Sequence, residues 1–559
     1  SGTPSVPRSP TSVSAAPKLS PLATPGRTVA TDRSGSWPAT PRNRATVPVP
    51  TLVGDLGTDG VPDLFVFATS VDTYGRDVGQ VYMLDGRLDR APTPLSLPGV
   101  ASGLEAGRGA DLAGDLDGDG LLDLVVGAPR DNSMTLGANS GAAYVYRGTA
   151  SGFTRDPAAI WREFPGHAGG DTFGQAVSRA GDFDGDGRDD VAIVARSDDR
   201  PATFAAADFE LEPGCAGLPA ANDVGAVHVF RGGAGALATR PATIVFGVEV
   251  GDVIDGVLGG FDYDGDGLDD LLVASASWDT ATLTNSGGFA LIRGRAPTAS
   301  GRIRVVCAYD FVLHAGEANT AMGRSLTSLG DLDADGCDDV AIGAPSEDLG
   351  NLDQGSLRIL YGFGAGCAAG PRLATLTGGT RSAQAFFSIA SEGRSLDGDT
   401  VPDLVLGIAA HVAGGNNVGA ARVVTGTTLR ALPTEAPVDG VAPTNTRAVT
   451  GPLVVGRTVG GGFGRAVAMG EGGVWVGAPL ADYTGVVASG GATLHAFDRV
   501  TGMISAAPSA VMGGETRRDN GRVGELLMSR ADAPYVLVTG FDGQGGGVDL
   551  GSAYVLRTR

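Results

Sequence analysis

Lysine is nearly absent from this chain, and histidine, cysteine and long apolar runs are scarce. Lys18 is the single lysine among 41 basic residues, which we interpret as codon bias in a GC-rich genome rather than as a functional feature. The net charge is −22, and this acidic balance argues against nucleic acid and anionic membranes as partners. No apolar run approaches the roughly 20 residues that a membrane-spanning helix requires, so no membrane span is predicted.

The scarcity of histidine argues against catalysis. The 5 histidines occur singly, and none has the spacing of a metal site or of a catalytic triad. No glycine-rich phosphate loop precedes a helix, so the glycine pairs are interpreted as turns and the chain is not predicted to be an enzyme. We expect His228 and His495 to be structural, and Trp161 and Trp278 to be buried in the core rather than to line a sugar site.

A repeated acidic loop is the dominant motif. The segment Asp182–Asp190 carries carboxylates at positions 1, 3, 5 and 9, and the apolar run Val191–Ala195 follows at once. Calcium takes six to eight oxygen ligands, and position 7 of such a loop contributes its backbone carbonyl. Because a short β-rich run follows instead of the helix of an EF-hand, we predict a metal-clamped β-hairpin.

The loop occurs six times along the chain. We number the copies loop 1 (55–63), loop 2 (115–123), loop 3 (182–190), loop 4 (262–270), loop 5 (331–339) and loop 6 (395–403). Loops 2 to 5 are complete, whereas loop 6 begins with Ser395 and loop 1 has Gly57 in place of the second carboxylate. We therefore predict calcium ions as cofactors, at four strong sites in loops 2 to 5, a weaker site in loop 6 and the weakest in loop 1.

The predicted calcium ligands follow from these positions. In the complete loops they are Asp115, Asp117, Asp119, Leu121, Asp123, Asp182, Asp184, Asp186, Arg188, Asp190, Asp262, Asp264, Asp266, Leu268, Asp270, Asp331, Asp333, Asp335, Cys337 and Asp339. In the degraded loops they are Ser395, Asp397, Asp399, Val401, Asp403, Asp55, Asp59 and Asp63. Carboxylates this close repel one another without a cation, and no nucleophile or open position is implied, so structural sites are predicted.

The repeat also predicts the fold class. Each unit combines a short apolar strand, the loop, a second strand, a variable connection, and a third strand that opens with glycine, such as the one at Gly141. Fourth strands are predicted at Thr243–Glu249 and Arg302–Tyr309. Units 7 and 8 have plain turns in place of the loop. Four short strands per repeated unit predict an all-β fold, a β-propeller of four-stranded antiparallel blades, with eight blades counted and seven as the alternative.

Motifs around the loops resemble a known family. Phe173-Gly174 and Phe463-Gly464 precede first strands, and Gly-Ala-Pro stands at 127–129, 343–345 and 477–479. With the acidic loops, these motifs resemble the FG-GAP repeats of integrin α-subunit propellers. The resemblance implies a calcium-bearing propeller that mediates protein contacts, with calcium loops on one face and partner-binding loops on the other. The family usually has seven blades, and no leg domain is represented here, so receptor function does not transfer.

The cysteines allow three disulfide pairings. Cys337 lies in loop 5, and Cys367 follows the third strand of the same unit, which places both on one face. We favour Cys337–Cys367, which leaves Cys215 and Cys307 to meet across neighbouring blades. Four free thiols are the alternative.

The domain boundaries follow composition. Residues 1–46 form a basic tail rich in Pro, Ser and Thr, and residues 47–559 form the propeller. No secretion signal is present and Ser1 replaces methionine, so a trimmed, mature N-terminus is predicted. Calcium loops of this kind saturate at the millimolar calcium found outside the cell, which favours an extracellular or cell-surface location.

Unit 8 ends with its third strand, Ser552–Leu556, and lacks a fourth. We predict that the strand-capable segment Gly26–Arg33 pairs beside it, either within the chain or in the next subunit of a fibre.

The favoured function is a secreted or cell-surface interaction, adhesion or scaffold module with a protein partner. The alternative is a structural subunit of an extracellular filament assembled by self-association through the tail. A propeller enzyme is the third and least favoured.

Overall fold

The structure is a computed structural model of the 559-residue chain. It describes most of residues 106–513, together with the strands at 48–54, 63–68, 80–84, 93–94, 526–529, 535–542 and 550–557. The gaps within 106–513 are 107–108, 132–138, 150–151, 155, 163–169, 236, 248–252, 350–353, 365, 368–369, 379–384, 392, 394, 471–472, 479–490 and 500–502. The basic tail, including 26–33, and residues 55–62 of loop 1 therefore lie outside the described residues.

Strands account for nearly all regular structure in the first half of the chain. The first ten are β1 (Pro48–Gly54), β2 (Asp63–Ala68), β3 (Gln80–Leu84), β4 (Thr93–Pro94), β5 (Ala110–Gly114), β6 (Asp123–Ala128), β7 (Ala142–Tyr146), β8 (Gly148–Thr149), β9 (Gly152–Phe153) and β10 (Ala159–Trp161). The next ten are β11 (Phe173–Gly181), β12 (Asp190–Ala195), β13 (Phe209–Leu211), β14 (Ala226–Phe230), β15 (Thr243–Phe246), β16 (Gly256–Phe261), β17 (Asp270–Ser275), β18 (Gly288–Ile292), β19 (Ile303–Val306) and β20 (Phe311–His314).

The second half continues the pattern, with one short helix, α1 (Gly426–Arg430), among the described residues. Its first strands are β21 (Ser325–Gly330), β22 (Asp339–Ala344), β23 (Ser356–Tyr361), β24 (Arg372–Thr377), β25 (Ala385–Ala390), β26 (Leu404–Ile408), β27 (Val412–Ala413), β28 (Asn416–Asn417), β29 (Ala420–Val424) and β30 (Thr434–Glu435). Its last are β31 (Thr446–Ala448), β32 (Leu453–Val455), β33 (Val467–Gly470), β34 (Gly473–Ala478), β35 (Gly491–Asp498), β36 (Met503–Ile504), β37 (Ala510–Gly513), β38 (Leu526–Ser529), β39 (Tyr535–Asp542) and β40 (Leu550–Arg557).

These strands form a series of antiparallel sheets in chain order. The sheets begin with β1, β5, β11, β16, β21, β25, β33 and β38, and each continues through its second and third strands. The first strand of each sheet contacts the first strand of the next sheet, and β38 also contacts β1. The chain is therefore an all-β propeller, as the sequence predicts. The eight-blade count itself stays a prediction.

Burial explains why the second strands are apolar runs rather than alternating ones. All six residues of β6, β12, β17, β22 and β34 are buried. One core cluster joins Val194 of β12 and Val227 of β14 to Leu271 of β17 and Ala290 of β18. The sheets that contain these strands are thus covered on both faces, and their core lies between neighbouring sheets.

Glycine at the ends of the strands allows adjacent sheets to approach closely. A Cβ at Gly127, in a Gly-Ala-Pro motif, would overlap the carbonyl oxygen of Gly174, in the Phe-Gly motif of the next sheet. Gly407 stands in the same relation to Gly464. The paired motifs therefore mark backbone contacts between neighbouring sheets, which only glycine permits.

Two segments run back to the preceding sheet, and one of them corrects a prediction. The segment Arg302–Tyr309 was expected to supply a fourth strand, but β19 lies parallel to β15 on the outer edge of the preceding sheet. The fourth strand is β20, which pairs with β18. In the same way, β30 and β31 join β24 of the preceding sheet. The strand predicted at Thr243–Glu249 is confirmed over Thr243–Phe246, which forms β15.

Both disulfides form as favoured from the sequence. Cys337 is bonded to Cys367, and Cys215 is bonded to Cys307. The second bond ties the long connection after β12 to the strand β19, which arrives from the next sheet. It therefore crosses between neighbouring repeats, as predicted.

The expected core residues are buried. Trp161 and Trp278 are each 2% exposed, and each indole N–H donates to a backbone carbonyl. His228 is fully buried with Nε2 2.9 Å from the Asp198 carboxylate, and His495 lies between Thr493 and a backbone carbonyl. The structural roles predicted for these four residues are confirmed.

Candidate metal centre

Each described acidic loop joins the end of a first strand to the start of a second strand. Loop 2 lies between β5 and β6, and loops 3, 4 and 5 lie between the equivalent strands of the next three sheets. In loop 2, Gly118 and Gly120 have φ of 78° and 85°, a conformation that glycine adopts at little cost. The register also shifts just before loops 2 to 5, as between Leu112 and Gly114, which turns the chain out of the sheet.

Backbone hydrogen bonds hold the loop in shape. The position 1 carboxylate of Asp115 accepts from the N–H groups of Gly118, Asp119 and Gly120, at 2.7, 3.0 and 2.7 Å. Asp262 accepts from the corresponding three N–H groups of loop 4. These bonds curl the loop around its first carboxylate, so the remaining carboxylates converge.

Four groups of carboxylates could hold a metal ion. Within each group the ligand atoms lie within 4.8 Å of one another. The groups are Asp115, Asp117 and Asp123; Asp182, Asp184 and Asp186; Asp262, Asp264 and Asp270; and Asp331, Asp333 and Asp339. They belong to loops 2 to 5, the four that carry a complete set of carboxylates.

The position 3 aspartates show that these groups fit a cation. Oδ1 of Asp117, Asp264 and Asp333 is buried and accepts no hydrogen bond. The other oxygen of each is held by an arginine. The distances to Oδ2 are 2.9 Å from Arg147 Nε to Asp117, 3.0 Å from Arg293 Nε to Asp264 and 2.6 Å from Arg372 Nη2 to Asp333. A buried carboxylate oxygen without a donor is costly, and a hard oxygen-seeking cation such as calcium would satisfy it.

The position 9 aspartates connect each loop to its own sheet. Asp123, Asp190, Asp270, Asp339 and Asp403 are fully buried. In loop 2, Oδ2 accepts from the N–H of position 2, and Oδ1 accepts from the first glycine after the third strand at 2.8 Å. Loops 4, 5 and 6 repeat both bonds.

Burial changes the acidity of these carboxyl groups. It raises the pKa of Asp123 to about 6 and the pKa of Asp190, Asp270 and Asp339 to about 8. Neighbouring carboxylates raise these values, whereas backbone N–H donors lower them. Without a cation, a pKa of about 8 keeps Asp190, Asp270 and Asp339 largely protonated near neutral pH.

Loops 6 and 1 differ from the other four. In loop 6, Ser395 Oγ donates to Oδ1 of Asp397 at 2.9 Å and lies 3.2 Å from Oδ1 of Asp399. Among the described residues, loop 6 contributes to no group of three acidic side chains whose ligand atoms lie within 4.8 Å of one another. Most of loop 1 lies outside the described residues. The calcium sites predicted in both loops, and the carbonyl ligands at position 7, remain predictions.

Two sets of polar residues at the loops were not predicted. One is the arginine set that holds the position 3 carboxylates, and Arg231 makes the same pairing with Asp184. The other is an aspartate at position 8 of loops 3, 4 and 5, which accepts a hydrogen bond from the preceding loop. The sequence signals were an Arg-Gly pair at the end of three third strands and an Asp-Asp pair at the end of three loops.

Comparison with known proteins agrees with this geometry. The family model for the FG-GAP repeat matches residues 107–146 and 322–360, which include loops 2 and 5. The chain carries FG-GAP repeats. Both matched segments begin just before a first strand, β5 or β21, and run through the acidic loop to the third strand. The FG-GAP matches therefore contain two of the four candidate metal sites, those of loops 2 and 5.

Part of the chain is also similar in sequence to integrin α-subunits. The chain is 36% identical over 150 residues to Integrin alpha-PS5 of Drosophila melanogaster, which covers 25% of this chain and 14% of that protein. It is 30% identical over 239 residues to Integrin alpha-PS2 of the same species, covering 41% and 14%. It is 30% identical over 200 residues to mouse Integrin alpha-M, covering 35% and 16%.

The chain thus matches less than a fifth of the length of each of these relatives. In the part of the chain that the structure describes, no helix is both long and apolar enough to cross a membrane.

The raised pKa values predict how pH affects the metal-free protein. Asp190, Asp270 and Asp339 have a pKa of about 8 in the folded protein, against 3.8 for an ordinary aspartate, so the folded state retains protons that the unfolded chain releases. Stability should therefore fall as pH rises from about 4 to about 8. We expect the melting temperature in EDTA to decrease between pH 5 and pH 8, and saturating calcium to reduce this decrease. A melting temperature in EDTA that rises over this range would contradict the assignment.

Proposed function

We propose that this chain is a calcium-stabilised β-propeller that acts outside the cell or at its surface as a protein-interaction or adhesion module. The observation that carries the proposal is the set of four acidic groups with buried, unsatisfied oxygens at one end of the strands. The FG-GAP match and the similarity to integrin α-subunits support the interaction role. No catalytic activity is proposed.

Calcium is the proposed ion because the ligands are oxygens and loops of this kind function at extracellular concentrations. Such sites have a Kd of about 10⁻⁴ to 10⁻³ M. At roughly ten times Kd, each bound ion adds about 1.4 kcal/mol to the free energy of unfolding. Four ions would add about 6 kcal/mol, which is comparable with the typical 5–15 kcal/mol net stability of a protein.

The opposite end of the strands offers a place for a partner. A cavity of about 760 Å³ lies where the first strands begin and the second strands end, in four successive sheets. Its charged residues are Arg130, Arg196, Arg324 and Asp255, and Arg196 Nε lies 2.6 Å from Asp255 Oδ1. The cavity lining is therefore net positive, although the chain has a charge of −22. We propose that it receives an acidic side chain of a protein partner.

A peptide-display selection tests this interaction surface. Calcium-loaded protein should enrich peptides that carry Asp or Glu, and the enrichment should be lost when Arg130 and Arg324 are both changed to Glu. A protein with both Arg447→Glu and Arg457→Glu, two exposed arginines that do not line the cavity, is the matched control and should leave the enrichment unchanged. Peptide enrichment that is equal for all three proteins would contradict the proposed surface.

The last sheet favours a second candidate function, assembly through strand donation. It contains β38, β39 and β40, and no described strand pairs with the other edge of β40. An exposed strand edge is a template for pairing. We propose that the segment Gly26–Arg33 of the basic tail pairs there. Pairing within one chain would complete the sheet, whereas pairing with a second copy would build a fibre.

Deletion of residues 1–45 tests this candidate. We expect the deletion to lower the melting temperature, because the β40 edge loses its partner, and a synthetic peptide of residues 22–37 to restore it. A scrambled peptide is the control. The mass of the full-length protein shows whether the pairing is internal or builds a polymer that the deletion abolishes. An unchanged melting temperature and mass after deletion would contradict strand pairing in either form.

A further inference from the structure

Position 8 of the acidic loop contacts the loop of a different sheet. In loops 3, 4 and 5 this position is an aspartate whose side chain points to the preceding loop rather than to its own. Its Oδ2 accepts a hydrogen bond from the backbone N–H of position 1 in that loop. The N···O distances are 3.1 Å for Asp115 to Asp189, 2.8 Å for Asp182 to Asp269 and 3.2 Å for Asp262 to Asp338.

The backbone strengthens two of these links. The N–H of Asp269 donates to the carbonyl of Asp182 at 3.2 Å, and the N–H of Asp338 donates to the carbonyl of Asp262 at 2.8 Å. In these two pairs, the position 1 residue is held through both its N–H and its C=O. Since the position 1 carboxylate also organises the backbone of its own loop, the link fixes the residue on which that loop depends.

Glycine makes room for two of the three links, those to loops 2 and 3. Gly114 and Gly181 precede position 1 of loops 2 and 3, with φ of 84° and 64°, and a Cβ on either would overlap the aspartate of the next sheet. Gly330 precedes position 1 of loop 5 with φ of 63°, but nothing lies within 4 Å of its would-be Cβ. The next loop has Pro402 at position 8, which carries no acceptor side chain.

The linked loops are the same four loops that form acidic groups. Three links connect loops 2, 3, 4 and 5 in order, and the links end where loop 6 has Pro402 at position 8. Within the described residues, loop 6 also forms no three-ligand acidic group. Linkage between sheets and a complete set of metal ligands therefore occur together.

We propose that Asp189, Asp269 and Asp338 are positioning residues, each of which holds the calcium loop of the preceding sheet in its binding shape. Calcium affinity in one repeat then depends on a side chain from the next repeat. The inference rests on the proposed calcium sites. It identifies the position 8 aspartates as the residues that connect those sites to the packing between neighbouring sheets.

A double-mutant experiment on calcium binding tests the proposal. Asp189→Ala should weaken one class of site by on the order of 10–100-fold, the usual effect of losing a residue that orients a ligand. Asp189→Asn keeps an acceptor oxygen and should bind nearly as the original protein does. The measurement is the number and affinity of calcium ions by equilibrium dialysis with calcium chloride.

Combining Asp189→Ala with a substitution that removes one calcium site identifies the loop on which Asp189 acts. Asp115→Ala removes the loop 2 site, so adding Asp189→Ala should cause no further loss of calcium. Asp182→Ala removes the loop 3 site, to which Asp189 belongs in sequence, so adding Asp189→Ala should still weaken another site. The reverse result would show that Asp189 serves its own loop and would overturn the proposal.

Glycine variants give an independent test that leaves every carboxylate in place. Gly114→Ala should weaken one calcium site, because its Cβ would displace Asp189. Gly330→Ala is the control, since Gly330 also has a positive φ, 63° against 84° for Gly114, but its Cβ would meet no neighbour. Calcium binding should change less in this variant. Equal effects of the two variants would overturn the proposal. So would a loss of thermal stability without any change in calcium affinity, because the link would then contribute to packing and not to calcium binding. If Asp115→Ala leaves calcium binding intact, the calcium site itself is wrong.

Discussion

The mutual repulsion of buried carboxylates is the constraint on which the rest of the structure depends. Four loops each bring three acidic side chains within 4.8 Å, and Asp117 and Asp264 each keep an oxygen with no donor. The arginines that pair with the position 3 carboxylates, and the backbone N–H groups that donate to the position 9 carboxylates, reduce the electrostatic cost. They do not satisfy the remaining oxygens, such as Oδ1 of Asp117. A divalent cation bound there would offset this repulsion.

The loops matter for the whole ring because they lie at the inner strands. First strands contact one another from sheet to sheet, and the position 8 aspartates add hydrogen bonds between successive loops. A loop that loses its shape therefore disturbs two sheets. Elsewhere, neighbouring sheets are joined by close glycine contacts, by the outer strand β19 and by the Cys215–Cys307 bond. At the first strands, the acidic loops and the packing contacts between sheets therefore lie side by side.

The features that could be predicted from the sequence are those set by residues close to one another in the chain. The carboxylates at positions 1, 3, 5 and 9, the strand after each loop and the glycine before each third strand are local patterns, and the all-β propeller followed from their repetition. Contacts between repeats were harder to predict. Segment 302–309 has the composition of a strand, but its partner β15 lies in another sheet, and no local pattern specifies that choice. Asp189 was missed for the same reason, because its hydrogen-bond partner Asp115 is 74 residues away.

The most direct test of the account is thermal unfolding of the intact chain before and after removal of bound metal, with calcium counted in the same samples. The account predicts that the protein as purified with calcium holds about four ions, melts at a markedly lower temperature after removal and recovers when calcium is restored. An unchanged melting curve in excess EDTA, with calcium shown to be gone, would contradict it.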